Sequence, residues 1–378
     1  MRDRLGAVVK SFNGVSIVIA SKGRVKFLEE LLESVQIARS NFTGVSEVIL
    51  VDDSNENDIL EIDRLCKKYS ARRIYHSPSV AEKRNVGVRE SKYDIILFLD
   101  SDCIASPNLL NEHMKLYSTE QVGGVAGLLE FVGEDTWFWN AVNKSPFVIC
   151  FGLPKMLNEV PWTPTANLSV RKDVFDLVGG FDRSFPDKPG GEDVDLGLRI
   201  TKNGFVFKCT KDGLVYHSKK TWVPVGDMVK RLWHYGSANY YLMDKHPDWT
   251  VGTLPKKPVI AFVILLFTIA MMFINPLFTM LFPIWLLSDN LLTAVMFNRF
   301  SNFNNSTLMQ QFIVQWLIFH NDMGFIWRCI VKQRFSYIFK DVVYYERQME
   351  GILYNGAIST WSNLIALMIL FGAGFLLL

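Results

Sequence analysis

Short apolar runs alternate with helical patterns through the N-terminal part of the chain. Runs rich in Val, Ile and Leu predict strands, which we place at residues 15–20, 47–51, near 74 and at 95–99. Apolar residues at helical spacing predict helices between them, which we place across residues 28–35, 58–69 and 80–90. Strands that alternate with helices of this length are typical of an α/β fold with a mostly parallel, twisted sheet flanked by helices. Crevices at the carboxyl ends of such strands bind nucleotides.

A second pattern dominates the C-terminal part, where apolar residues follow one another with few interruptions. No charged residue occurs in residues 258–288 or 351–378, and the whole chain is 49% apolar. Runs of this length can cross a bilayer core of about 30 Å. Pro276 and Pro283 interrupt the first run. We therefore predict transmembrane helices at about residues 258–274, 277–298 and 359–378.

Two further segments predict helices that lie at a membrane surface. Residues 228–243 combine basic and aromatic side chains, which suits the headgroup zone, although a half-buried surface helix would have the same composition. In residues 308–331, Asp322 and Arg328 lie off an apolar stripe, which favours an interfacial helix over a spanning one. The stripe consists of Phe312, Trp316, Phe319, Met323, Ile326 and Ile330. The predicted domains are a catalytic domain at residues 1–225, an amphipathic linker at 226–257 and a membrane domain at 258–378.

Charge and cysteine content narrow the class of partner and the compartment. The chain carries 40 Lys or Arg and 38 Asp or Glu, and this near balance argues against a nucleic-acid partner. The five cysteines show no CxxC spacing, which is typical of reduced thiols. We expect no secretory signal, since residues 1–10 are charged. Because Lys256 and Lys257 precede the first predicted membrane helix, the positive-inside rule predicts a multi-pass cell-membrane protein with a cytoplasmic catalytic domain.

The strand at residues 95–99 leads into two carboxylates, Asp100 and Asp102, with Ser101 between them. Side chains alternate along a strand, so both carboxylates are expected to point the same way from its carboxyl end. Paired oxygens there suit a hard divalent cation, while an ordinary acidic turn is the alternative for this motif taken alone. The chain contains neither GxGxxG nor a P-loop motif, so the usual dinucleotide and triphosphate fingerprints are absent.

Several other segments accompany this DxD motif. They are VSIVIASKGR, VDDSN, AEKRN, TPTANLSVRKDVFDLVGGFD and GGEDVDLGLR. Together they resemble the family 2 glycosyltransferases over residues 16–246, and the resemblance continues more loosely into the apolar C-terminal part. It implies a GT-A nucleotide-sugar-binding domain, a nucleotide-diphosphate sugar as donor and Mn²⁺ or Mg²⁺ as cofactor. The QxxRW motif of processive polysaccharide synthases is missing, which disfavours a cellulose- or hyaluronan-type polymerase.

The resemblance also implies which residues contact the donor. Asp52 matches the acid that reads the base edge and the ribose, whereas for the neighbouring Asp53 a helix N-cap is an equal alternative. Asn167 matches a position that lines the donor-sugar pocket. The usual proline of the first loop is replaced by Ala20. The remaining candidates for nucleotide, phosphate and ribose contacts are Ala20, Ser21, Arg24, Lys83, Arg84, Asn85, Asp100 and Ser101. For residues 83–85, the alternative is that they form the solvated, basic start of a helix.

For the chemistry, the resemblance implies a metal site and a base. Asp102, with Asp100 and His217, would hold the cation, although a lone histidine is commonly structural. Asp193 matches the general base, and Glu192 stands beside it. Acidic residues in a first helical turn also stabilise the helix dipole, and we accept that role for Asp195, which the helix would turn away from the cleft. One base and one in-line displacement imply inversion at the anomeric carbon.

The predicted function is that of a membrane-bound inverting glycosyltransferase with a lipid-linked or cell-surface glycan as acceptor. A polyprenyl-phosphate sugar synthase is the alternative enzyme. A catalytically silent membrane scaffold that binds sugar nucleotides is the alternative from another class. Retention of the DxD motif and of Glu192-Asp193 argues against the scaffold, which needs neither.

Overall fold

Two units make up the chain, and each contains its own buried apolar cluster. The computed structural model describes residues 12, 14–76, 79–186, 190–300, 306–343 and 355–377. The first unit comprises residues 1–134 and 149–222, and the second comprises residues 135–148 and 223–378. Residues 135–148, which were predicted to belong to the catalytic domain, group with the C-terminal unit.

Within the described residues, nine strands of the first unit form one mixed sheet. In chain order they are β1 (Gly14–Ser21), β2 (Val45–Asp52), β3 (Ala71–Tyr75), β4 (Ile95–Asp100), β5 (Cys103–Ala105), β6 (Val122–Val132), β7 (Glu159–Val160), β8 (Asn167–Arg171) and β9 (Val206–Ser218). Their order across the sheet is β3-β2-β1-β4-β8-β6-β9-β5, and β7 pairs with β9. β1 is almost fully buried, as expected for a central strand covered on both faces.

The helices of the described chain divide between the two units. In chain order they are α1 (Val25–Ser40), α2 (Glu56–Lys68), α3 (Val80–Arg89), α4 (Leu109–Met114), α5 (Trp137–Val142), α6 (Ile149–Gly152), α7 (Lys172–Leu177), α8 (Glu192–Lys202), α9 (Val225–Lys245), α10 (Lys257–Met271), α11 (Leu281–Phe300), α12 (Leu308–Val331) and α13 (Asn355–Leu377). Helix α5 and helices α9 to α13 belong to the second unit. A short antiparallel pair, β10 (Thr250–Gly252) with β11 (Lys340–Val342), lies there as well.

The prediction of a mostly parallel sheet holds for only part of it. β3, β2, β1 and β4 are parallel to one another. Beyond β4, β8 is antiparallel to both β4 and β6, while β6 and β9 are parallel. The sheet therefore changes from parallel to mixed after β4.

Helix α3 lies unusually close to β1. An added Cβ at Gly87 would collide with the side chain of Val18, so the glycine permits the approach. The Ser79 side chain caps the helix by accepting a hydrogen bond from the Glu82 amide. This close seating brings the predicted residues 83–85 to the end of β1.

In the second unit, α9 and α12 cross backbone to backbone. An added Cβ at Gly236 would collide with the Asn321 carbonyl oxygen, and one at Gly324 would collide with the Trp233 carbonyl oxygen. The Ser237 hydroxyl donates to the Gly324 carbonyl at 3.1 Å. The two segments predicted separately as surface helices therefore pack on each other.

The predicted membrane helices begin and end close to the predicted positions, but they differ in length. In the described residues, one helical stretch, Pro276–Phe297, is long and apolar enough to cross a membrane. Lys257–Met271 and Thr360–Phe375 are apolar but shorter. The count of three spanning helices remains a prediction.

We expect Gly236→Leu to destabilise the second unit, because the added side chain has no room beside α12. Overpacking typically costs about 1–3 kcal/mol, which corresponds to a fall in Tm of about 2–12 °C for a folding unit of about 150–250 residues, the size range of the second unit. Gly226→Leu on the same helix is the control, since an added Cβ there meets nothing within 4 Å. The apparent Tm of each detergent-purified variant measures the effect, and equal values for the two variants would contradict the crossing.

Candidate active site

The site begins where three parallel strands end side by side. In register, Ser21 of β1 lies beside Asp52 of β2, and Ala20 lies beside Asp100 of β4. Because all three strands run in the same direction, their carboxyl ends meet at one edge of the sheet. The predicted donor-side residues Ala20, Ser21, Asp52 and Asp100 therefore do come together.

Asp52 joins the loop after β1 to the loop after β2. Its Oδ1 accepts hydrogen bonds from the Ser21 hydroxyl at 2.5 Å and the Ser54 hydroxyl at 2.7 Å, and its Oδ2 accepts from the Ser54 amide at 3.1 Å. The Gly23 amide donates to the Ser54 hydroxyl at 2.6 Å. The Asp52 side chain is fully buried. The contact of its carboxylate with a base or ribose that the resemblance implied stays a prediction.

The neighbouring Asp53 is an ion-pair partner and not a helix cap. Its Oδ1 accepts from Lys83 Nζ at 2.5 Å and its Oδ2 from Lys22 Nζ at 3.0 Å. Burial opposes ionisation, yet the hydrogen bonds from Lys83 and Lys22 hold the pKa of Asp53 below its ordinary value. The N-cap of α2 is Asn55, so the capping alternative is wrong. Lys83 Nζ also donates to the Ser21 carbonyl at 2.7 Å, which ties α3 to the same loop.

Two amides predicted to contact the donor have structural partners instead. The Asn85 amide donates to the Phe181 carbonyl and accepts from the Phe181 amide, both at 2.9 Å. Asn167 donates to the carbonyls of Leu128 and Gly213, both at 2.8 Å. Its Oδ1 also lies 3.0 Å from His113 Nε2, and Asn167 is 2% exposed. These amides hold the turn after α7 and the centre of the sheet, and a sequence match alone does not reveal that their polar atoms are already in use.

The two carboxylates of the DxD motif have different partners. β4 ends at Asp100, so Ser101 and Asp102 lie in the turn before β5 and do not continue the strand alternation. Asp100 Oδ1 accepts from Arg84 Nη2 at 3.1 Å. Asp102 faces His217, whose Nε2 lies 3.4 Å from Asp102 Oδ1. The strand alternation on which the expected common direction rested therefore does not apply, because the chain turns between the two carboxylates. Ser101 is buried in that turn.

Asp102, Cys103 and His217 form a group that could share one metal ion. One ligand atom from each lies within 4.8 Å of the others, and the strand register places Cys103 opposite His217. The His217 Nδ1 lies 3.2 Å from the Ser218 carbonyl, a contact that fits an Nδ1–H donor and leaves Nε2 free as a ligand. A carboxylate with an imidazole suits a divalent cation such as Mn²⁺. Burial raises the pKa of the Cys103 thiol well above its ordinary value, so we do not count it as a ligand.

Arg24 lies at the exposed side of this group. Its Nη1 donates to Asp102 Oδ2 at 3.0 Å, and its side chain is 49% exposed. Arg24 has φ +56°, a left-handed conformation that follows Gly23 at φ +60°. The loop after β1 thus presents a cation to Asp102, as the predicted role of Arg24 near the phosphates requires.

Glu192 and Asp193 occupy the start of α8, where Glu192 is buried and Asp193 is partly buried. Glu192 Oε1 accepts from Arg84 Nη1 at 2.9 Å, and its Oε2 accepts from the Gly190 amide at 2.8 Å. Burial first, and then the charge of Glu192, raise the pKa of Asp193 to about 7, while Arg84 acts in the opposite direction. A carboxylate that titrates near neutral pH is suited to accept a proton during a reaction.

Asp195 lies in the first turn of α8, as the predicted helix-dipole role requires, and it also forms an ion pair with Arg199. Its Oδ2 accepts from Arg199 Nη2 at 2.6 Å. Arg199 also donates to the carbonyls of Val178 and Gly180, at 2.5 and 2.8 Å. This ion pair fixes the turn that follows α7.

An α/β sheet that ends in this acidic site defines a domain of the GT-A type. Residues 16–181 match the family model described as Glycosyl transferase family 2. The chain therefore carries a glycosyltransferase family 2 domain, which confirms the resemblance and the fold class for the catalytic part.

Individual proteins show the same likeness. The O-antigen biosynthesis protein RfbC of Myxococcus xanthus is 25% identical over 54% of this chain and 17% of its own length. Glycosyltransferase AglE of Haloferax volcanii is 24% identical over 65% of this chain and 82% of its own. The structure of the mannosyltransferase PcManGT from Pyrobaculum calidifontis, in complex with GDP-Man and Mn²⁺, matches with a TM-score of 0.52 at 15% identity and covers 83% of this chain and 87% of that one. At this identity the structural match shows the fold alone.

We expect Asp102→Ala to weaken Mn²⁺ binding by about 100-fold or more, since loss of outer-shell partners alone typically costs about 10- to 100-fold. Cys103→Ala is the matched control, because its thiol stays protonated and should contribute little. Isothermal titration with Mn²⁺ in the presence of a nucleoside diphosphate measures both variants. Unchanged affinity in Asp102→Ala, or an equal loss in Cys103→Ala, would contradict the assigned ligands.

Proposed function

We propose that this protein is a membrane-bound glycosyltransferase that moves a sugar from a nucleotide-diphosphate sugar to a lipid-linked or cell-surface glycan. The observation that carries the proposal is the pairing of two centres in one site. One is the Asp102 and His217 pair, which suits a cation, and the other is Asp193, which titrates near neutral pH. The family 2 domain supports the reaction class, and the names of relatives such as the O-antigen biosynthesis protein suggest a glycan acceptor.

The proposed reaction is a single displacement. The acceptor hydroxyl oxygen forms a bond to the anomeric carbon while the bond from that carbon to the diphosphate oxygen breaks. The electron pair leaves on the nucleoside diphosphate, and Asp193 takes the hydroxyl proton. A cation held by Asp102 and His217 would offset the charge that develops on the diphosphate. Attack on the face opposite the leaving group gives inversion.

Arg24 has the position and charge to contact the leaving diphosphate. Its guanidinium is half-exposed and lies beside Asp102. A guanidinium fork matches phosphate oxygens and remains charged at any working pH. We assign it the role of orienting the diphosphate next to the cation site.

The distribution of polar and apolar side chains in the second unit supports a membrane location. Large apolar side chains point outward from its helices, as in Phe273 at 81% and Phe371 at 74% exposure. Charged and polar side chains are enclosed instead, including Asp289 and Ser362, each at 0% exposure. Lys257 Nζ lies 2.5 Å from Asp289 Oδ2 inside this unit. Apolar residues outside and polar residues inside are favourable when the surroundings are lipid.

Helix α12 supports the same placement. Several residues of its predicted apolar stripe are exposed, among them Trp316 at 41% and Ile330 at 46%. Its buried face carries Gln311, Gln315 and Asp322. An outward apolar face is expected for a helix in the interfacial region. We therefore propose a multi-pass cell-membrane protein with a cytoplasmic catalytic domain.

The test of this function offers one donor at a time, with Mn²⁺, to the detergent-purified protein and three acceptors. They are a sugar on polyprenyl diphosphate, the same sugar without the lipid, and polyprenyl phosphate. We expect transfer to the first acceptor with inverted configuration, read by NMR of the product. Transfer to polyprenyl phosphate alone would instead favour a polyprenyl-phosphate sugar synthase. Equal efficiency with and without the lipid would show that the lipid is not recognised.

We expect the rate to rise with pH through about 7, because Asp193 can accept a proton only when it is ionised. Asp193→Asn should lower kcat by at least about 100-fold while donor affinity is retained. Asp173→Asn is the matched control. Asp173 also lies in the first turn of a helix, but its carboxylate pairs with Arg171 at 2.6 Å and not with a residue of the site. If Asp193→Asn lost donor affinity in step with rate, a binding role would replace the role as base.

A further inference from the structure

The Arg84 guanidinium lies between carboxylates from opposite sides of the site. Its Nη1 donates to Glu192 Oε1 at 2.9 Å, and its Nη2 donates to Asp100 Oδ1 at 3.1 Å. The Arg84 side chain is 7% exposed, and its charged end lies 5.6 Å from the centre of the Phe181 ring. Residue 84 thus connects the end of β4 with the start of α8.

We propose that Arg84 is a positioning residue that holds Asp100 and Glu192 in one fixed arrangement and supplies the positive charge beside the proposed base, Asp193. This inference rests on the proposed function, and it differs from the phosphate-contact role that the sequence resemblance implied. We assign Arg84 this positioning role because both of its terminal nitrogens already donate hydrogen bonds to carboxylates.

The charges around Asp193 show why a cation is needed there. Among the described residues, Glu192 opposes the ionisation of Asp193 and Arg84 favours it. The partly buried thiol of Cys150 is close enough for its own pKa to respond to the charge of Asp193. Asp100 shares the same guanidinium. Without Arg84, the buried Glu192 and the partly buried Asp100 and Asp193 would lose the positive charge that stabilises their ionised forms.

The fork shape of the guanidinium matters as well as its charge. Two nitrogens at a fixed angle contact two separate carboxylates, which a lysine ammonium on a flexible stem cannot reproduce. Arg84→Lys therefore separates the two contributions, since it keeps the charge and loses the geometry. Arg84→Gln loses both.

The experiment measures kcat and kcat/KM against pH for the wild type, Arg84→Lys and Arg84→Gln. In Arg84→Gln the acid limb of the pH–rate profile, where the rate falls as the pH is lowered, should move up by about one pH unit or more, as loss of an adjacent opposite charge predicts. Arg84→Lys should leave the limb near its wild-type position but lower the plateau kcat by about tenfold or more. The Kd for nucleoside diphosphate should change by less than about threefold in both variants, since Arg84 is not assigned a phosphate. Weakened nucleotide binding with an unshifted limb would overturn the proposal in favour of a phosphate contact.

Arg199→Gln is the matched control, because Arg199 pairs with Asp195 on the same helix and does not contact Glu192 in any described hydrogen bond. It should lower Tm without moving the acid limb. A limb that moves equally in Arg199→Gln would mean that the shift reports general loosening of α8, which overturns the proposal.

An infrared titration makes the result independent of turnover. The band of the protonated Asp193 carboxyl is assigned by its loss in Asp193→Asn and followed with pH in each Arg84 variant. A midpoint that does not rise in Arg84→Gln would overturn the role of Arg84 even if no sugar transfer were found. A midpoint that rises while the wild type transfers no sugar would instead leave the positioning role intact and refute the proposed function.

Discussion

Charge compensation among enclosed groups is the constraint on which the whole site depends. A carboxylate removed from water is stable as an ion only when a cation and hydrogen bonds replace its hydration. Lys83 meets Asp53 at 2.5 Å and Arg84 meets Glu192 at 2.9 Å, and all four side chains are at least nine-tenths buried. Because Lys83 and Arg84 are consecutive on α3, one helix supplies both cations. The close seating of that helix at Gly87 is therefore a condition for the acidic edge of the sheet.

The sequence predicted the elements well where a single pattern decides them. Apolar runs located β1, β2 and β4, and helical spacing located α12 at the predicted bounds. Strand alternation failed at the DxD motif, because it assumes that the strand continues through Asp102, whereas the chain turns after Asp100. The antiparallel half of the sheet was missed for a related reason: strand direction depends on which connections follow, and apolar runs carry no direction.

The sequence predicted which residues lie in the candidate site better than it predicted what each of them contacts. Residues named from separate family motifs, among them Arg24 and His217, lie beside Asp102 in the structure, while their roles stay predictions. The motifs gave no sign that the amides of Asn85 and Asn167 donate to backbone groups far away in sequence, such as Phe181 and Gly213. They also gave no sign that Arg84 faces two carboxylates. A motif records which residue types occur together, while the partner of a buried polar group is decided by the three-dimensional neighbours that compete for it.

The hydrogen bonds that join Ser21, Gly23, Asp52 and Ser54 have a consequence for ligand recognition. They link two loops through side chains that need no ligand to form them. The conformational entropy lost in ordering these loops is therefore lost during folding and not during binding. A nucleotide that binds at this edge would meet a preorganised surface. Its binding free energy would therefore reflect the contacts it makes, with little loss for ordering the loops.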